Sequence, residues 1–149
     1  MRRWLGPLMM LIVVGRCDWV GREEAKVFRT IKTAARAVEK ENLDKISKLI
    51  TEEYQDSWGH NREELLDFLT GIFYRYNQIK IKLVKNSIVL SENKAAICDL
   101  NVWVTLYDKY SGEFEYWQER VLVYLNRVQG QWKITYVAKY SSRTEEPVI

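Results

Sequence analysis

Cysteine and histidine are scarce in this sequence, and each scarcity excludes a class of site. The 149 residues include only two cysteines, Cys17 and Cys98, which are too few for the disulfide framework of a small secreted domain. His60 is the only histidine, and a metal site is not expected without a second imidazole or a cysteine cluster. We therefore expect neither a metal nor another cofactor.

The mature part of the chain also lacks an excess of positive charge. The formal net charge is +3, but three of the 23 basic residues, Arg2, Arg3 and Arg16, precede Cys17, and no acidic residue does. Subtracting these three from the 23 basic residues leaves 20, which equals the number of acidic residues. The rest of the chain therefore has a formal net charge of zero. The remaining chain has no excess of positive charge with which to bind phosphates, so no nucleic-acid partner is predicted.

No apolar run has the length of a comfortable membrane span. Residues 4–14 are apolar and follow a short positive segment, Met1 to Arg3. This length suits the hydrophobic part of a signal peptide, whereas a spanning helix needs about 20 apolar residues. Residues 1–20 are therefore predicted to be a signal peptide, a lipoprotein leader or an N-terminal anchor, and the protein is expected in the cell envelope, periplasmic or membrane-anchored.

The end of this leader, residues 13–17, resembles the lipobox of bacterial lipoproteins. The resemblance implies that Cys17 is acylated and becomes the new N-terminus. Arg16 departs from the pattern, which has a small residue before the cysteine. An uncleaved anchor, or a start codon placed upstream of a cytoplasmic domain, stays open as an alternative. Any membrane contact is expected through the leader only.

The remaining chain has the composition of one globular domain, predicted over residues 21–141 and followed by a flexible polar tail, 142–149. Hydrophobic residues make up 47% and aromatic residues 13% of the sequence, well away from disordered chains. A helix is predicted from Gly21 to about Lys40, because apolar residues recur at three- and four-residue spacing. Asn42 is predicted to cap a second, shorter helix, whose apolar stripe includes Ile50.

Residues 54–76 join a short strand to a capped helix. Tyr54, Asp56 and Trp58 alternate with polar residues, as in a strand, and Gly59 then breaks the chain direction. Asn61 with Glu64 predicts a capping box. The buried face of the following helix is predicted to contain Leu65, Phe68, Leu69, Ile72, Phe73 and Tyr76.

The last half of the sequence predicts an antiparallel meander. Strands are indicated from Ile79 to Leu90, from Ala96 to Leu106, from Phe114 to Arg127 and from Trp132 to Tyr140, separated by turn residues. Cys98 falls in a uniformly apolar row and is interpreted as a small core residue.

This element order, with Tyr54, Asp56, Trp58 and Gly59 before the helix and Gly130 to Ile134 in the last hairpin, resembles the nuclear transport factor 2-like superfamily, in particular its small bacterial members. The resemblance covers residues 22–140. It implies an α+β cone, in which a strongly curved antiparallel sheet wraps around helices and opens into a pocket. It also implies a homodimer formed through the sheet.

Eight residues are predicted to line the pocket: Tyr54, Asp56, Trp58, Tyr76, Tyr116, Arg120, Tyr124 and Tyr136. Asp56 is the one candidate catalytic base, although an aspartate in such a segment also serves as a local cap or backbone acceptor. Arg120 is a half-buried cation needing a carboxylate or an anionic ligand if its face is concave, and ordinary surface if it is convex. His60 is a weaker candidate, as a proton shuttle.

The favoured function is an exported or membrane-tethered, non-enzymatic module that binds a small apolar ligand or a partner protein in the cone pocket. One alternative is an isomerase- or dehydratase-like enzyme that uses Asp56 with pocket tyrosines. Another is an assembly domain of an envelope complex. A second copy is expected to cover the second face of the sheet. This face is assigned Trp103 and Tyr107 of one strand and Trp117, Val121, Val123 and Leu125 of the next.

Overall fold

The computed structural model describes residues 5–92 and 94–141, with side chains from residue 19 onward. Three helices and five strands follow in the order α1 (Leu5–Glu39), α2 (Leu43–Leu49), β1 (Ile50–Asp56), α3 (Arg62–Arg75), β2 (Tyr76–Ser91), β3 (Ala95–Asp108), β4 (Phe114–Val128) and β5 (Gln131–Lys139). The predicted α+β class is confirmed.

The five strands form one curved sheet in the order β1-β5-β4-β3-β2. Strands β2 to β5 are an antiparallel meander, as predicted, and β1 lies parallel to β5 at the opposite edge from β2. Helix α1 packs against the sheet, and its buried Val27 and Ile31 join the core that includes Leu100 and Leu125.

The strand register divides the sheet into two faces. On the inner face, toward the helices, buried pairs form between Leu100 and Val121, Cys98 and Val123, and Ala96 and Leu125. The alternating residues of the same strands form the outer face. Cys98 is completely buried, which confirms its interpretation as a core residue.

Several element boundaries differ from the sequence-based prediction. Helix α1 begins at Leu5 and runs through Gly21 without a break. Ile50, predicted on the second helix, begins β1 and pairs with Ile134. Tyr76, predicted on the third helix, begins β2 and pairs with Asp108, because sheet pairing competes successfully with the last helical turn.

The capping box of α3 is confirmed. The backbone N–H of Glu64 donates to Asn61 Oδ1 at 2.9 Å, and the Asn61 N–H donates to Glu64 Oε1 at 3.3 Å. The apolar face of α3 is less buried than predicted, since no residue of this helix is fully buried and Phe68 is 51% exposed. Helix α3 contacts β1, β2 and α2, and only Leu65 packs on the core.

Two predicted segments fall partly or wholly beyond this description. The predicted tail, 142–149, and the first four residues of the predicted leader lie outside the described residues, as does the side chain of Cys17. Among the residues that are described, no helix is long and apolar enough to cross a membrane.

Candidate functional site

The Asp56 carboxylate, at the end of β1, is surrounded by hydrogen-bond donors from its own segment. Oδ1 accepts from the backbone N–H groups of Trp58, at 2.9 Å, and His60, at 3.0 Å. Oδ2 accepts from the Tyr54 hydroxyl at 3.0 Å and lies 3.1 Å from Nδ1 of His60. With two partners on each oxygen, Asp56 fixes the turn after β1, which is the structural role that the sequence left open.

Tyr54 is buried behind this carboxylate and remains a hydrogen-bond donor. Burial raises the pKa of Tyr54, and the negative charge and hydrogen bond of Asp56 raise it further. Because the pKa of Tyr54 lies above its ordinary value, the phenol is protonated at neutral pH and donates to Oδ2 of Asp56.

His60 connects the same carboxylate to the surface of α3. Its side chain is 26% exposed, and its ring stacks on Phe68 with the ring centroids 5.1 Å apart. Its Nε2 makes no hydrogen bond within the described part of the chain. A partly exposed imidazole paired with a carboxylate is chemically able to exchange protons. No cluster of metal-ligating side chains occurs among the described residues.

Two tryptophans meet on the inner face of the sheet. The rings of Trp58 and Trp117 are tilted by 60°, with their centroids 6.3 Å apart, and each residue is 38% exposed. Nζ of Lys139 lies 5.4 Å from the centroid of the Trp58 ring. The pair offers two partly hydrated indole faces with a cation beside them, an arrangement suited to an apolar ligand. We call Trp58, Trp117 and Lys139 the indole site.

The eight residues predicted to line one pocket do not lie together. Tyr54, Asp56, Trp58 and Tyr76 are on the inner side. Tyr116, Arg120, Tyr124 and Tyr136 are on the outer face, because their strand partners alternate with the buried pairs of the core. The predicted pocket therefore divides between two faces of the sheet.

Solved structures with the same architecture were found at low sequence identity. A scytalone dehydratase-like protein of Novosphingobium aromaticivorans superposes with a TM-score of 0.77 at 14% identity, covering 89% of this chain and 97% of that one. A nuclear transport factor 2-like superfamily protein of Salmonella enterica has a TM-score of 0.65 at 14% identity, covering 84% and 95%. The chain has the nuclear transport factor 2-like fold.

A third structure with this fold is the association domain of CaMKII from C. elegans. It has a TM-score of 0.67 at 16% identity, covering 81% of this chain and 95% of that one. No protein-family model matches the sequence, and a search of curated proteins finds no match. At these identities the likeness shows the fold alone, because nuclear transport factor 2-like domains carry different sites on one scaffold.

Arg120 lies on the outer, convex face of the nuclear transport factor 2-like sheet, yet it is not ordinary surface. Its Nε and Nη2 donate to the two oxygens of Asp99 at 2.9 and 2.6 Å, and its guanidinium stacks 3.7 Å from the centroid of Tyr140. The hydrogen bond from Arg120 holds the pKa of Asp99 below its ordinary value; partial burial opposes this, and Asn86 adds a further hydrogen bond. The sequence indicated the carboxylate requirement but not the face.

A β-bulge explains why Tyr136 was assigned wrongly. Regular alternation along this strand would put Tyr136 on the same face as Trp132 and Ile134, but the register shifts between the Tyr124–Tyr136 and Leu125–Ile134 pairs. The extra residue, Thr135, moves all later side chains of β5 to the opposite face. Strand parity alone gives no sign of such a shift.

Two polar clusters were missed by sequence reasoning. Buried Glu23 accepts a hydrogen bond of 2.9 Å from the indole N–H of Trp132. The available signal was its position four residues before Val27, on the buried stripe of α1. Tyr76 donates at 2.7 Å to Glu115 Oε2, and this hydrogen bond, followed by burial, raises the pKa of Tyr76.

Proposed function

We propose that this chain is a non-enzymatic binding module of the cell envelope, which holds a small apolar ligand at the indole site. The observation that carries the proposal is the Trp58–Trp117 pair, with both rings part-exposed on the inner face. Leaving two indoles partly in water sacrifices burial free energy of about 25 cal/mol per Å² of apolar surface. A ligand that covers both rings recovers it.

Lys139 narrows the chemistry of the ligand. Its ammonium group lies beside Trp58, so an apolar body with an acidic group would contact both the indole and the cation. An apolar side chain of a partner protein could use the same surface, and assembly into an envelope complex would then follow.

The hydrogen bonding of Asp56 supports a role without catalysis. A general base needs a free lone pair directed at its substrate, whereas each Asp56 oxygen already has two partners within 3.1 Å. Asp56 instead positions Trp58, whose backbone N–H it binds.

The test is a titration with 1-anilinonaphthalene-8-sulfonate, an apolar probe with an anionic group. Trp58→Ala and Trp117→Ala should each weaken binding at least tenfold, as expected from the loss of an aromatic contact of about 1.5–3 kcal/mol. Lys139→Gln should weaken it less. Tyr110→Ala, which changes an exposed aromatic residue in the β3–β4 turn, is the matched control. Equal affinity in all variants would refute the indole site.

A second candidate is an isomerase- or dehydratase-like enzyme in which His60 is the base and Asp56 orients it. The 3.1 Å separation of His60 Nδ1 and Asp56 Oδ2 favours it. The likeness to the Novosphingobium protein is compatible with it. Such an enzyme would exchange an acidic C–H proton of a bound ketone with D₂O, and His60→Phe would abolish the exchange while leaving binding at the indole site intact.

The leader is the basis for the proposed envelope location, and the outer face is the basis for the proposed homodimer. We propose that residues 1–20 export or tether the domain, with acylation at Cys17, and that two copies pair through the part of the outer face around Tyr124 and Tyr136. The association-domain likeness supports pairing. Fractionation of cells that produce the full chain should place it with membranes, and Cys17→Ser should release it; unchanged fractionation would contradict acylation.

A further inference from the structure

A groove of about 340 Å³ lies on the outer face, where β2, β3 and β4 run side by side. Lys80 and Lys82 of β2 form one wall, and Trp103, Thr105 and Tyr116 form the floor and the other wall. Lys80, Thr105 and Tyr116 belong to one row of the register, and Lys82 and Trp103 to the next. The groove is therefore basic along one side and aromatic along the other.

Both ammonium groups lack a carboxylate partner among the described residues. Nζ of Lys82 lies 5.7 Å from the Trp103 ring centroid, and Nζ of Lys80 lies 5.8 Å from that of Tyr107. Arg120, farther along the same face, is in contrast fully paired with Asp99. Two uncompensated cations beside partly exposed aromatic rings suit a peptide segment that carries carboxylates next to apolar side chains.

We propose that this groove binds the C-terminal segment of the same chain, residues 142–149. Glu145 and Glu146 supply adjacent carboxylates, and Pro147, Val148 and Ile149 follow them as an apolar group. The segment contains two acidic residues and one basic residue, Arg143, so its side chains sum to −1. The glutamates pair with the two lysines, and the apolar residues cover Trp103.

The path from β5 to the groove has the right direction and length. Tyr140 donates its backbone N–H to the Arg120 carbonyl at 2.9 Å, and its ring stacks on the outer face. Since Val121 pairs with Lys139, continuing the chain leads along β4 toward Gln118, which pairs with Trp103. Lys82 is three strands from β5, about 14 Å at the usual strand spacing. Residues 141–145 span up to about 17 Å when extended.

The experiment uses the full chain and a fluorescent synthetic peptide with the sequence of residues 142–149, followed by fluorescence anisotropy. A tether of this length gives an effective concentration of about 1 mM, so for a peptide Kd of about 0.1 mM the attached tail occupies most grooves. The double variant Glu145→Lys, Glu146→Lys should release the groove and bind the added peptide about tenfold more tightly than the unchanged chain does. Raised salt should weaken this binding.

Charge reversal in the groove supplies the decisive control. Adding Lys80→Glu and Lys82→Glu to the released variant should remove binding of the added peptide. The matched pair Lys40→Glu, Lys45→Glu, in a separate depression beside α1 and α2, should not. The indole N–H resonance of Trp103, assigned with Trp103→Phe, should differ between the unchanged and the released chain. Equal peptide affinity in these two chains, or binding that survives the groove reversal, would overturn the proposal.

Discussion

The indole N–H of Trp132 donates a 2.9 Å hydrogen bond to the buried Oε2 of Glu23, a residue that lies 109 positions earlier in the chain. Lys26 binds the other oxygen at 3.0 Å, and Nη1 of Arg127 lies 3.5 Å from Oε2. This carboxylate thus joins α1 to the last hairpin of the sheet.

Replacement of Glu23 should destabilise the domain. Glu23→Gln removes the charge that two cations and an indole N–H compensate, and we expect a loss of about 2–4 kcal/mol in the free energy of unfolding. Urea denaturation measures it. Glu24→Gln, the neighbouring and less buried position, should change stability by less than about 0.5 kcal/mol. Similar losses in both variants would contradict a specific role for Glu23.

Stability should also depend on pH through Glu23. Burial opposes ionisation, but the hydrogen bonds from Trp132 and Lys26 and the charges of Lys26 and Arg127 outweigh it, so the pKa of Glu23 lies below its ordinary 4.5. The contribution is therefore complete above about pH 4.5 and is lost as the pH falls through the lower pKa of the folded chain. Urea midpoints between pH 3 and pH 7 should fall less steeply toward acid in Glu23→Gln than in the unchanged chain.

Asp56→Asn tests the structural role of that carboxylate. An amide at this position keeps one acceptor but presents N–H groups toward the Tyr54 hydroxyl or the backbone N–H groups, so one buried donor loses its partner. We expect a loss of about 2–3 kcal/mol in the free energy of unfolding. Glu53→Gln, on the exposed side of β1, is the control. An unchanged urea midpoint for Asp56→Asn would show that the network contributes little.

Short sequence patterns predicted local structure such as helix caps, but they did not predict the register between strands. Asn61 and Glu64 are three residues apart, and the capping box depends on that spacing alone. The face of Arg120 depends instead on which alternate residues of β4 enter the core, and the face of Tyr136 depends on a bulge at Thr135. Choosing the wrong parity, or missing a shift of one residue, moves side chains to the opposite face of a strand. For these two reasons four of the eight predicted pocket residues lie on the outer face of the sheet.

The predicted dimer surface was wrong for a similar reason, because the register between strands was not known from the sequence. Trp103 and Tyr107 were assigned to the same face as Trp117, Val121, Val123 and Leu125. The last four lie on the inner side, where all but Trp117 are buried in the core, whereas Trp103 and Tyr107 lie on the outer side. Alternation within β3 and within β4 was recognised correctly. Only the pairing between strands decides which residues of one strand share a face with which residues of the next.

Cys98 should be unreactive in the folded domain. Burial raises the pKa of its thiol to about 11; a nearby Lys85 opposes this and Asp99 adds to it. At pH 8 only about one thiol in a thousand is then ionised, and the side chain is inaccessible. In a Cys17→Ser chain, Ellman's reagent should therefore react with Cys98 only as fast as the domain unfolds. A fast reaction that is independent of urea would contradict its burial.

An apolar patch on the outer face, away from the groove, is predicted to form the contact between two copies of the chain. Leu122, Tyr124 and Tyr136 are only partly buried, the two tyrosine rings pack edge to face at 5.6 Å, and neighbouring Ile97 is 37% exposed. A second copy would cover this apolar patch, as the proposed homodimer requires. Leu122→Glu places a carboxylate at the centre of the patch and should convert a dimer into a monomer, as measured by light scattering coupled to size-exclusion chromatography. Tyr110→Glu, at an exposed aromatic residue in the β3–β4 turn, should leave the dimer intact. A monomeric unchanged chain would exclude this mode of assembly.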